Sequence, residues 1–156
     1  MSNARYNLFP SVPAFCLVRT TDVVGTANAN KFITYESARF NIGSHASTST
    51  GKFTAPFDGV YTFSIMFTVD GGDGSDDSIG CGWYIQNNSA NYNVTPSNTD
   101  NRINPRHLTR SGIEHTYGYS TTVKMAEDAT IGWYFVDWNA TGTKLQSAEF
   151  SGHLVS

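Results

Sequence analysis

The sequence predicts an all-β domain of two sheets packed face to face, on three observations. Apolar residues recur at every second position, no segment carries a helical period long enough to stand, and turn residues bound each alternating run. The clearest run places Tyr61, Phe63, Ile65, Phe67 and Val69 on one parity, with Thr62, Ser64 and Thr68 on the other. A pleated strand sends alternate side chains to opposite faces, so one face of this strand belongs in a core and the other in a polar setting.

Taken in order, residues 1–12 form a short irregular arm and residues 13–156 a single domain, as the chain length favours. Strands are expected at 14–20, 31–41, 51–55, 61–69 and 79–85, the last with Ile79, Cys81, Trp83 and Ile85 on one side. Further strands are expected at 102–110, at 117–125 with Tyr117, Tyr119, Val123 and Met125 in phase, at 131–138 and at 149–155. Residues 124–129 are too short for an independent helix and read as a strand end entering a turn. In 131–138 both parities are apolar, which requires cover on both faces; in a sandwich the second face must meet a loop or another subunit. The total is about eight to ten short strands joined by Gly, Asn, Asp and Pro turns.

Charged residues make up 15% of the 156-residue chain against 39% hydrophobic, so Ser, Thr, Asn and Gly must keep the surface wet. A net charge of −3 gives no long-range attraction to phosphate, which removes nucleic acid from the expected partners. No apolar run approaches the length of a membrane span, and residues 1–12 lack the apolar core of a secretion leader. Cys16 and Cys81 lie in apolar surroundings without metal-ligand spacing and are expected as buried free thiols. With 3 Trp, 8 Tyr and 10 Phe, the aromatic content exceeds what one small core needs, and the surplus points to an interface between subunits.

Residues 35–65 carry a spaced motif: Tyr35, Asn41, Phe53, then Gly59, Tyr61, Phe63 and Ile65. This pattern resembles the signature of the C1q domain, with Tyr35 in place of Phe, Ala46 in place of the mid-motif aromatic and Ile65 in place of the last aromatic. The closing Phe150-Ser151-Gly152-His153-Leu154 is similar to the final strand of that family, so the resemblance spans nearly the whole chain. It implies a ten-strand, two-sheet jelly roll related to the tumour-necrosis-factor fold, associated as a homotrimer through one apolar sheet face. The wording of residues 40–64, above all Thr50-Gly51-Lys52-Phe53-Thr54-Ala55-Pro56, is similar to phage versions of the domain. The resemblance then implies a virion structural protein, a capsid decoration knob whose arm residues Tyr6, Leu8, Phe9 and Pro10 contact neighbouring capsid subunits. The competing reading is a receptor- or glycan-binding module, a fibre tip or an extracellular lectin, contacting its ligand through loops at 70–77 and 87–98.

Three other groups of residues invite a chemical reading. Asp70, Asp73, Asp76 and Asp77 on a glycine-rich loop offer the hard oxygens that calcium takes, as some domains of this family do; the spacing is not that of an EF-hand, and a solvated hairpin loop competes. Arg102, Arg106 and Arg110 share a parity and would form a stripe for an anion, although Pro105 interrupts it and intersubunit salt bridges compete. His45, His107, His115 and His153 are scattered, and no nucleophile elbow, P-loop or CxxC pair is present, so no catalytic residues are expected. Three sequons, at Asn87, Asn93 and Asn139, read as unmodified loops. No cofactor other than calcium is implied.

Overall fold

The computed structural model describes residues 12–24, 31–70, 77–86, 106–109, 113–136 and 144–156. Twelve strands and no helix lie among them: β1 (Ala14–Arg19), β2 (Val23–Val24), β3 (Lys31–Phe32), β4 (Ser37–Ile42), β5 (Ala46–Ser47), β6 (Lys52–Thr54), β7 (Gly59–Asp70), β8 (Asp77–Gln86), β9 (Arg106–Thr109), β10 (Glu114–Met125), β11 (Thr130–Val136) and β12 (Lys144–Leu154). The first sheet runs β10-β7-β12-β1-β4 with β2 added to β12, and the second runs β5-β6-β11-β8-β9 with β3 added to β11. Every pairing is antiparallel. The ten strands on the two main paths form the two-layer jelly roll expected from the sequence, and β2 and β3 are two-residue additions.

The alternating run of β7 explains why this strand organises the first sheet. Tyr61, Phe63, Ile65, Phe67 and Val69 are at most 2% exposed, and each fully buried side chain of this kind contributes about 1.5–3 kcal/mol. Sliding the strand by one residue would turn all five outward, so burial sets its register against β10 and β12. Opposite stand Phe53, Trp83, Ile131, Trp133 and Phe135 of the second sheet. The two layers meet ring to ring, with Phe67 tilted against Trp133 at 5.7 Å and Phe15 stacked on Phe53 at 5.1 Å. Gly152 makes room for this packing, since a Cβ there would lie 2.4 Å from the Phe63 ring.

Two sequence expectations need correction in detail. Residues 31–41 are not one strand: β3 belongs to the second sheet and β4 to the first, and the chain crosses between them with Ile33 and Tyr35 buried. An uninterrupted strand cannot serve both layers, so the apolar pair marks a crossing. The last strand begins at Lys144 rather than Glu149, because a register irregularity between Leu145 and Ser147 breaks the alternation on which the sequence reading depends. In 102–110 only Arg106–Thr109 is described, as an edge strand on β8.

The second face of β11 is covered from within the chain. Phe32 lies beside Gly132, where a Cβ would come within 2.9 Å of its ring, and meets Tyr84 and Tyr134 edge-on at 5.1 and 5.0 Å. Lys52 places its ammonium 4.3 Å from the centre of the Phe32 ring and hydrogen-bonds Gln86 at 3.2 Å. Of the two covers expected for β11, the chain supplies a short strand of its own.

Candidate self-association face

The outer face of the first sheet is built by the parity opposite to the core. Phe15 and Leu17 point inward from β1, so Ala14, Cys16 and Val18 point outward, and through the β1–β4 register Ile42 and Phe40 join them. On β7 the outward positions are Thr62, Ser64, Met66 and Thr68; on β10 they are Thr116, Gly118, Ser120 and Thr122; on β12 they include Glu149, Ser151 and His153. Phe40, Ile42 and Met66 are 48%, 44% and 54% exposed. Three large apolar side chains on one sheet face thus stand about half in water.

Two pairs of threonines on this face are bonded to each other. Thr62 and Thr122 pair hydroxyl to hydroxyl at 3.2 Å, and Thr68 and Thr116 at 2.9 Å. Hydroxyls bonded within the sheet lose little when water leaves, so these four can be covered without stranding donors. The one ion pair here joins Arg39 to Glu149 at 2.9 Å, beside Cys16. Burial, and then the Glu149 charge, push the Cys16 thiol up from its ordinary value, so it is a poor nucleophile. On the inner side, burial pushes Cys81 up to about 12. Both cysteines are buried and outside any disulfide, as their surroundings in the sequence implied.

The motif residues serve the sandwich rather than this face. Tyr35, Phe53, Tyr61, Phe63, Ile65 and Phe150 are buried, and Tyr61 donates from its hydroxyl to the Phe57 carbonyl at 2.8 Å. Asn41 binds Ala46 both ways, donating to its carbonyl at 2.7 Å and accepting from its N–H at 3.2 Å, and so ties the two sheets together. At Gly59 a Cβ would press on Leu154 at 2.6 Å.

The other singled-out residues do not assemble into a site among the described residues. Asp70 closes β7 with one carboxylate oxygen buried and unbonded, and Asp77 opens β8; Asp73 and Asp76 lie outside the described residues. Arg106 starts β9, while Arg102 and Arg110 lie outside the description, as do the arm residues Tyr6, Leu8, Phe9 and Pro10 and the three sequons. Among the described residues no group of His, Cys, Asp and Glu is placed to hold a metal, and no helix is long and apolar enough to cross a membrane. His153 is exposed on the outer face of the first sheet. Phe40, Ile42 and Met66 escaped the sequence reading, although Met66 carried a signal: it interrupts the polar series Thr62, Ser64 and Thr68 on one parity of β7.

The fold places the chain among known structures. It is similar to the globular domain of zebrafish complement 1qA, with a TM-score of 0.67 at 13% identity over 92% of this chain and 98% of that one. It is also similar to Eiger TNF from S. frugiperda, at 0.61 and 10% over 93% of each, and to murine APRIL at pH 5.0, at 0.58 and 10% over 90% and 98%. No curated protein matches at the level of sequence. The C1q domain model matches residues 14–106, more than half of the chain and including every position of the 35–65 motif, and the chain therefore belongs to the C1q domain family.

Proposed function

We propose that this chain works as a non-enzymatic homotrimer, in which the outer face of the first sheet is shared between copies and the trimer presents its loops to a partner. The single observation that carries the reading is the half-exposed trio Phe40, Ile42 and Met66 on a face that also carries two mutually bonded threonine pairs. A closed threefold arrangement covers such a face in every copy at once. The similarity to complement and TNF-type domains supports a module that acts by presenting surfaces, and a role outside the cytoplasm. Within it we place the chain on a virion as a capsid decoration knob, on the resemblance of Thr50–Pro56 to phage versions of the domain. Three copies binding together would replace a tight single site by repeated weak contacts.

Light scattering on the purified full chain at micromolar concentration tests the association. The expected mass is about three times the 17.1 kDa of one chain. A folded monomer would remove the shared face. Added to capsids lacking the protein, the trimer should bind and raise their resistance to heat; binding to a glycan array instead would assign the presented loops to a cell-surface sugar.

A further inference from the structure

At the end of the sandwich where β1 leaves the first sheet and β3 enters the second, the two layers part around a cavity of about 210 Å³. Val23, Phe32, Ile33, Phe135 and Leu145 line it, and Ile33, Phe135 and Leu145 are at most 3% exposed. Protein interiors pack to the density of organic crystals and leave few voids larger than a water molecule. An apolar cavity of about 150 Å³ is enough to take up benzene. This one is larger, and its wall is neither polar enough to hold water well nor collapsed.

Two polar residues, Arg19 and Thr34, complete the lining. The Arg19 side chain is 12% exposed and is held in place at two points, donating from Nε to the Thr21 carbonyl at 3.0 Å and from Nη1 to the Thr34 carbonyl at 2.8 Å. Its other terminal nitrogen, Nη2, makes a loose ion pair with Glu36 at 3.9 Å, beyond hydrogen-bonding distance, and keeps donors free. Glu36 is engaged elsewhere: it accepts from the backbone N–H and the hydroxyl of Thr20 at 3.2 and 3.0 Å, and from the N–H of Thr21 at 3.0 Å and its hydroxyl. A guanidinium fixed by two backbone carbonyls, with donors left over, is preorganised for a planar anion. We infer that this cavity is a binding site for a small apolar carboxylic acid, its chain between Phe135 and Leu145 and its carboxylate on Arg19. The site lies between the layers and not on the outer face of the first sheet, so it is independent of trimer formation.

Octanoate and octanol, titrated calorimetrically into the full chain, distinguish the parts of the proposal. Octanoate should bind with one site per chain, and each methylene added from butanoate upward should tighten binding about fourfold until the cavity is full. Val23→Trp, at the partly buried rim, should abolish binding. Arg19→Gln should weaken octanoate about tenfold or more while leaving octanol unchanged, because only the acid uses the charge-assisted bond. Should Val23→Trp fail to fold, nuclear Overhauser contacts between the octanoate methyl and the side chains of Leu145 and Phe135 in the unaltered protein locate the ligand directly. No saturable binding, or binding that Val23→Trp leaves intact, would overturn the site. Equal weakening of acid and alcohol by Arg19→Gln would overturn the assignment to carboxylates.

Discussion

The outer faces of the two sheets solve the same problem in opposite ways. On the second sheet Phe32, Tyr84 and Tyr134 turn their rings on one another, Lys52 lies over Phe32, and no large apolar side chain described there is more than a third exposed. On the first sheet Phe40, Ile42 and Met66 stand about half in water, with no strand or loop of the described chain above them. The second sheet closes its surplus of aromatics with residues of its own chain. The first leaves its apolar residues open to water. A surplus of rings in the composition therefore does not by itself locate an interface, since here much of it is spent on covering β11.

The contrast can be broken most directly at Met66, near the middle of the open face. Met66→Arg should leave the fold intact, because the side chain points away from the core, and should yield a monomer by light scattering. Burying a hydrated guanidinium in a covered interface costs several kcal/mol, and the carboxylate across from position 66, Glu149, is already paired with Arg39, so the dissociation constant should rise at least about a thousandfold. A Met66→Arg protein that remains trimeric would show that the shared surface lies elsewhere.

The reverse pattern is expected at Phe32. Phe32→Ala strips the cover from Gly132 and from two tyrosines within one chain, so it should lower unfolding stability by about 2 kcal/mol, less than for a fully buried ring. Urea midpoints measured on chains that also carry Met66→Arg keep association out of the comparison. Oligomeric state should not change with Phe32→Ala alone, and a monomer would mean that the two faces are coupled.

The smallest effect concerns Glu36, just before the open edge strand β4. Hydrogen bonds, that from the Thr21 hydroxyl first, hold its carboxyl down to about 2 against an ordinary value of 4.5. A carboxyl lowered on folding stabilises the native state at neutral pH, and that contribution is lost as pH falls from about 4.5 through about 2. The group is fully exposed, so the effect is screened. Glu36→Gln should lower the neutral plateau slightly and leave stability near pH 2 nearly unchanged, so that the acid limb flattens within that window. An unaltered acid limb would show that these bonds do not form in solution.

Much of the architecture was legible because a strand advertises itself through local alternation. The runs at 61–69, 79–85 and 117–125 fall within β7, β8 and β10, and the 35–65 motif lies over core positions, since burial every second residue is a local property of the pleat. Legibility failed where geometry interrupts the period: at Leu145–Ser147, where a bulge shifts the parity, and at 33–36, where the chain changes sheets. Of the loop carboxylates Asp70, Asp73, Asp76 and Asp77, the second and third lie outside the described residues, so the calcium reading of that loop stays an expectation of the sequence.

By itself, the sequence determined that this protein is an all-β sandwich of the C1q kind and which parity of each regular strand enters the core. Only the tertiary structure decided which apolar residues remain uncovered. Phe32 and Phe40 are alike as isolated phenylalanines in short strands, yet one is enclosed by Tyr84, Tyr134 and Lys52 and the other faces water. The physical reason is that burial of an outward side chain depends on what a distant part of the chain lays over it, and pairing between distant strands is not written in any local period.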